Sequence, residues 1–163
     1  LAKIRGAQKV IMIDINGTRL EMAKDFGVDI TVNSSEENPI EAVKKLTGGK
    51  GADKVISATP VNTTQTQSIH MVKKGGLVVF FGGVPKGSMT ELDCNLIHYN
   101  NIWIKGHFGA SYSQSKRAFQ LAISPTVPTE KFITHILPLD KINEGIGLTR
   151  SGKAIKVVLH PWD

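Results

Sequence analysis

The stretch KVIMIDINGTR, Lys9 to Arg19, carries an apolar run into a carboxylate, Asp14, and then turns into a helix-like pattern. A carboxylate at a strand end can accept two hydrogen bonds from a ribose diol, and it repels a 2′-phosphate placed there. Asp14 is equally a good helix N-cap, and both roles fit its type and position. Arg19 either reaches the adenosine ribose or adenine, or is a solvated helix residue. Gly82 and Gly83 directly follow the apolar run Leu77 to Phe81. Two glycines there let a flat ring meet the backbone with no β-carbon in the way, or else make a tight turn at positive φ. Thr59, restrained by Pro60, is a small polar residue at another strand end, suited to close passage of a cofactor or to a plain turn.

Other constellations fall short of chemistry. Cys94 and His98 are spaced to share a helix face, but two ligands do not make a zinc site, which needs three or four. The remaining histidines are scattered, and no serine stands between glycines as in a nucleophile elbow. TGGKG, Thr47 to Gly51, lacks the spacing of a Walker loop and reads as a turn. A dinucleotide-binding strand end calls for G-x-G-x-x-G about 20 residues earlier. Only Leu1 to Ile13 precede Asp14, so the glycine loop is expected outside this chain.

The elements that would position these residues alternate. Leu1 to Arg5 reads as a helix end stopped by Gly6. Lys9 to Asp14 is expected as a buried parallel strand, Thr18 to Phe26 as a helix closed by Gly27, and Asp29 to Asn33 as a strand. A helix over Pro39 to Leu46, a strand over Lys54 to Thr59, a helix over Thr63 to Val72 and a fully buried strand over Leu77 to Gly83 follow. The second half reads as strand Asn101 to Phe108, helix Gln114 to Ile123, turn Pro125 to Pro128, strand Ile133 to Pro138, helix Lys141 to Thr149 and strand Ala154 to His160. Strand and helix alternating over short links predict a parallel sheet with right-handed crossovers, a doubly wound α/β fold.

At 163 residues, 40% hydrophobic and 21% charged, the composition is that of one soluble domain. No apolar run approaches the roughly 20 residues of a membrane helix, and LAKIRGAQ lacks the features of a signal peptide. The single cysteine, Cys94, excludes an internal disulfide and fits a reducing compartment, so a cytoplasmic protein is expected. A net charge of +6 invites a nucleic-acid reading. The cations are dispersed, however, with no basic run interleaved with aromatics, and no nucleic-acid partner is expected. Lys44-Lys45 and Lys73-Lys74 are expected near helix ends, where cations meet the dipole favourably.

Four segments together carry a resemblance: GAQKVIMIDINGTRLEMAKDFGVDITVN, LTGGKGADKVISAT, GGLVVFFGGVP and the closing FITHILPLDKINEGIGLTRSGKAIKVVL. In this order they resemble the cofactor-binding region of the zinc-dependent medium-chain dehydrogenases, which include alcohol, sorbitol-type polyol and threonine dehydrogenases. The resemblance implies a Rossmann-type doubly wound sheet without its first strand and glycine loop. Residues 1–163 would be a partial NAD-binding domain, with 131–163 returning toward a catalytic domain outside the chain. It makes Asp14 the acceptor of the ribose diol of NAD and Arg19 its neighbour, and lays Ala58 and Thr59 along the cofactor. Gly82, Gly83 and Val84 would approach the nicotinamide ribose and ring, the backbone around His107 and Phe108 would bind the carboxamide, and Lys156 would pair with the pyrophosphate. Without the family, Lys156 reads as a solvated strand lysine. The ATP at Ala58 to Pro60 departs from the common valine-glycine version.

The resemblance further implies hydride transfer from an alcohol or polyol to NAD. Zinc would be held only by the other domain, leaving no catalytic residue and no metal ligand here. It implies a homodimer or higher homo-oligomer, paired through the edge strand at Ile102 to Phe108. With the usual order 3-2-1-4-5-6, the missing first strand should leave a gap between Lys9–Asp14 and Lys54–Thr59. A non-catalytic nucleotide-sensing module, or a methyltransferase, could use the same acid. Neither has reason to carry NEGIGLTRSGKAIKVV.

Overall fold

Glycines at positive φ close the first turns and so decide where helices stop. The structure, a computed structural model describing residues 1–162, divides into two compact units: Ala2–Gly109, and a second from Ala110 onward that also takes in Leu1. The first unit runs β1 (Ile11–Asp14), α1 (Gly17–Lys24), β2 (Ile30–Asn33), α2 (Pro39–Leu46), β3 (Ala52–Ser57), α3 (Asn62–Met71), β4 (Val72–Phe80), α4 (Cys94–Tyr99) and β5 (Trp103–Gly106). The second holds α5 (Tyr112–Ala122), β6 (Ile133–Pro138), α6 (Ile142–Arg150) and β7 (Lys156–His160).

At the start, Gly6 at φ 85° ends a set of turns rather than a full helix. The Gly6 N–H donates to the Lys3 carbonyl and the Ala7 N–H to the Ala2 carbonyl, at 2.9 and 3.0 Å. This is the paired closure of a Schellman cap. Asp29 then ties that segment to β2. Its carboxylate accepts from the Val10 N–H at 2.6 Å and from Lys3 Nζ at 3.0 Å, and the two bonds, the backbone one foremost, hold its pKa below the ordinary value.

Every strand pairing is parallel. β1 pairs with β2, while β3, β4 and β5 form a separate sheet with β4 central. No ladder joins β1 to β3 among the described residues, which matches the expected gap. It also explains why β1 is half-buried along its length rather than buried as expected, since one of its edges carries no neighbour. The core of the three-stranded sheet gathers Ile69, Val72, Val78 and Ile102, with Leu96 and Ile97 of α4 packed against it.

Lys73 and Lys74 stand in β4, beyond the end of α3, because Val72 turns extended at ψ 147°. Lys73 pairs with Asp53 across the β3–β4 ladder at 2.5 Å. That hydrogen bond holds the Asp53 carboxyl below its usual range. In the second unit β6 and β7 pair under α6. Gly145 lets α6 approach, since a β-carbon there would lie 3.1 Å from Val157 Cγ1. Among the described residues no helix is long and apolar enough to cross a membrane.

Candidate functional site

Asp14 closes β1 at its carboxyl end, and its Oδ1 accepts the Asn16 backbone N–H at 2.9 Å. Asn16 caps α1: its side-chain oxygen takes the N–H groups of Thr18 and Arg19 at 3.0 and 3.3 Å. The capping role open to Asp14 in the sequence thus belongs to Asn16. The second oxygen of Asp14 faces Arg19 Nη1 at 4.0 Å. The Asp14 side chain is 18% exposed, sheltered yet reachable, with acceptor capacity beyond its one bond to Asn16.

The second cluster lies where β3, β4 and β5 end. Ala58 and Thr59 follow β3, and the Thr59 hydroxyl lies 2.6 Å from that of Thr64. Thr64 gives its single proton to the Val61 carbonyl at 2.8 Å, so it accepts from Thr59. The Ser57 carbonyl receives both the Phe81 and Gly82 N–H groups at 2.9 Å, which stitches the end of β4 to the end of β3.

The two glycines after β4 have different reasons to be glycine. A β-carbon at Gly82 would sit 2.5 to 2.8 Å from Thr59 backbone atoms, so this residue is glycine because the β3–α3 turn presses on it. At Gly83 a β-carbon would meet nothing within 4 Å, so of the two it is Gly83 whose backbone offers an open face to a flat group. Neither adopts positive φ, which sets aside the tight-turn explanation. Val84 continues the loop, half-buried.

After β5, the His107 N–H donates to the Phe80 carbonyl at 3.1 Å. The His107 ring stacks on Phe81 with centroids 5.9 Å apart and planes 15° from parallel. Phe108 extends into solvent.

The structure therefore brings Ala58, Thr59, Gly82, Gly83, Val84, His107 and Phe108 to one end of the three-stranded sheet. Asp14 and Arg19 stand together at the end of β1, in the other sheet of the same unit. Lys156 opens β7 in the second unit, exposed, its carbonyl accepting from the Thr134 hydroxyl at 3.2 Å.

Sequence reasoning missed Gln65. It is 6% exposed, donates from Nε2 to the Gly82 carbonyl at 3.2 Å and accepts the Thr90 hydroxyl at 2.7 Å. The available signal was the polar run NTTQTQS in a helix set between two strands of one sheet, which a solvated face does not explain. No three His, Cys, Asp or Glu side chains gather to hold a metal ion among the described residues. Cys94 and His98 both lie on α4, Cys94 bonding the Leu92 carbonyl and His98 meeting Tyr99 edge-on.

Comparison with known proteins decides the lineage of this arrangement. A family model described as zinc-binding dehydrogenase matches residues 1–124. The chain belongs to the zinc-binding dehydrogenase family. It is 33% identical over 162 residues to an L-threonine 3-dehydrogenase of Bacillus subtilis strain 168, covering 99% of this chain and 46% of that protein. The chain thus spans about half the length of the curated relatives it matches.

Among solved structures, an alcohol dehydrogenase zinc-binding domain protein from Burkholderia ambifaria superposes with a TM-score of 0.90 at 28% identity. The match covers 98% of this chain and 43% of that one. A chain from Sinorhizobium meliloti 1021, solved bound to NADP, gives 0.91 at 26% identity over 98% and 47%. The parallel α/β architecture of the chain is accordingly the Rossmann-like one of the family.

Proposed function

We propose that this chain is the cofactor-positioning part of an NAD-dependent dehydrogenase that oxidises an alcohol or polyol. The carrying observation is Asp14: released from capping by Asn16, it presents a sheltered carboxylate at the end of a parallel strand. The donor set fits a dinucleotide. Asp14 accepts the diol of the adenosine ribose, with Arg19 beside it. Gly83 supplies a bare backbone face, Gly82 and Val84 flank it, and the peptides around His107 and Phe108 hold the carboxamide. Ala58 and Thr59 line the path between.

When bound, NAD supplies the hydride acceptor, and the residues here bind and orient it. None of them acts as catalyst. The family's zinc and the alcohol pocket belong to residues outside this chain, as expected for a segment in which 131–163 turns back toward a catalytic domain.

Asp14 favours NAD over NADP by like-charge repulsion of a 2′-phosphate. Arg19, 4.0 Å away, is the residue through which NADP would gain a hold. The working form is a homodimer in the cytoplasm, where Cys94, exposed and free, stays reduced. Titration with NADH and NADPH tests the reading. Tighter NADH binding is expected, and equal or reversed affinity overturns the preference. Profiling a panel of alcohols and polyols in the presence of NAD tests the substrate class, and a panel without turnover in the full-length enzyme overturns it.

A further inference from the structure

We propose that Gln65 is a positioning residue for the nicotinamide end of the cofactor, acting through the Gly82–Gly83 turn. The inference rests on the cofactor reading above. Gln65 sits at the centre of a hydrogen-bond chain whose direction is fixed at each link. Asn62 Nδ2 donates to the Thr90 hydroxyl at 3.0 Å, Thr90 donates to Gln65 Oε1 at 2.7 Å, and Gln65 Nε2 donates to the Gly82 carbonyl at 3.2 Å. The Thr90 hydroxyl has one proton and gives it to Gln65, so it must accept from Asn62. With its oxygen engaged by Thr90, the Gln65 amide can offer only its nitrogen to Gly82.

This chain clamps the base of a loop. Gly82 and Thr90 bracket the segment that contains Gly83, Val84 and the 92% exposed Met89, and one buried side chain holds both ends. Two further contacts press the far end onto α3: Asn62 Nδ2 reaches the Ser88 hydroxyl at 3.4 Å, and the Thr66 hydroxyl donates to the Glu91 carbonyl at 2.8 Å. Both peptide groups of Gly82 are thereby held, the one through its N–H by the Ser57 carbonyl and the one it shares with Gly83 through its carbonyl by Gln65. Gly83, the residue with the open face, hangs from that fixed peptide. Loosening Gln65 should blur Gly83 and Val84 while leaving the Asp14 end of the cofactor site intact.

The test compares NADH with ADP-ribose, which carries the adenosine end but no nicotinamide, in the parent and in Gln65→Leu, Gln65→Glu and Thr90→Val. Gln65→Glu keeps the acceptor for Thr90 and replaces the donor to Gly82 by a carboxylate oxygen, which the Gly82 carbonyl repels. Thr90→Val lies on the loop and breaks only the loop half. In both Gln65 variants NADH affinity should fall about tenfold, the effect of leaving a buried partner unpaired, while ADP-ribose affinity is unchanged. Amide hydrogen exchange at Gly83 and Val84 in the ligand-free protein should speed up in all three variants. Equal loss of both ligands, or unaltered NADH affinity with unaltered exchange, overturns the assignment. A parent that binds neither ligand overturns the cofactor reading itself, and is distinguishable because the exchange comparison does not depend on a ligand.

Discussion

Asn16 and Asp14 divide between them two tasks that the sequence left on one residue. Asn16→Ala should cost about 1 kcal/mol of stability and leave the ratio of NADH to NADPH affinity unmoved. Asp14→Ala should weaken NADH and relax discrimination against NADPH; an unchanged ratio, measured by fluorescence titration, would reduce Asp14 to a turn residue. The adjacent glycines separate in the same way. Gly82→Ala forces a β-carbon into the Thr59 backbone and should destabilise the fold by roughly 1 to 3 kcal/mol, read as a lower thermal midpoint. Gly83→Ala, facing open space, should leave that midpoint in place and show its effect only in NADH affinity. The pair GG was legible as special. Which neighbour made Gly82 necessary was not, because Thr59 follows the adjacent strand β3 and is distant from it along the chain.

The helix α2, entered through Asn38 and left before Gly48, was legible to the residue over Pro39–Leu46, and β6 was read over its observed bounds Ile133–Pro138. The short helix α4 was not read. It lacks a closing glycine: Asp93 caps its start by accepting the Leu96 N–H at 2.9 Å, and Asn101, at φ 51°, performs the left-handed exit. Asparagine tolerates that conformation, but a search for glycine passes over it. Strand burial was overestimated for the complementary reason, since apolar runs do not reveal whether both edges have neighbours.

Asp29 joins two elements electrostatically, and its effect has a definite sign. Its folded pKa is depressed, so its stabilisation is present above the ordinary carboxylate value and is lost as pH falls through the folded one, a window below about pH 4. Thermal midpoints measured from pH 5 down to pH 3 should drop more steeply for the parent than for Asp29→Asn. Parallel curves would show that the bond to Val10 does not link protonation to folding.

At the scale of the molecule, β5 presents an edge with no further strand among the described residues, and Trp103 on it is 71% exposed. Such an edge invites pairing with its own copy about a two-fold axis. Light scattering should give a dimer for the parent and a monomer for Ile104→Pro, with circular dichroism confirming that the variant is folded. A monomeric parent, or an equally dimeric variant, rules this edge out. The unbridged sheets have a different consequence, for the way the first unit comes apart. Each sheet is built from one contiguous stretch, β1 to β2 and β3 to β5, and α2 packs on α3 across the division. Local crossovers of this kind close early and cheaply in a folding chain, and with no ladder spanning them the two stretches need not melt together. Native-state hydrogen exchange should therefore resolve two opening free energies, a lower one for Ile11–Asn33 and a higher one for Ala52–Gly106, and a single shared value would mean that the helix contact alone makes them one cooperative body.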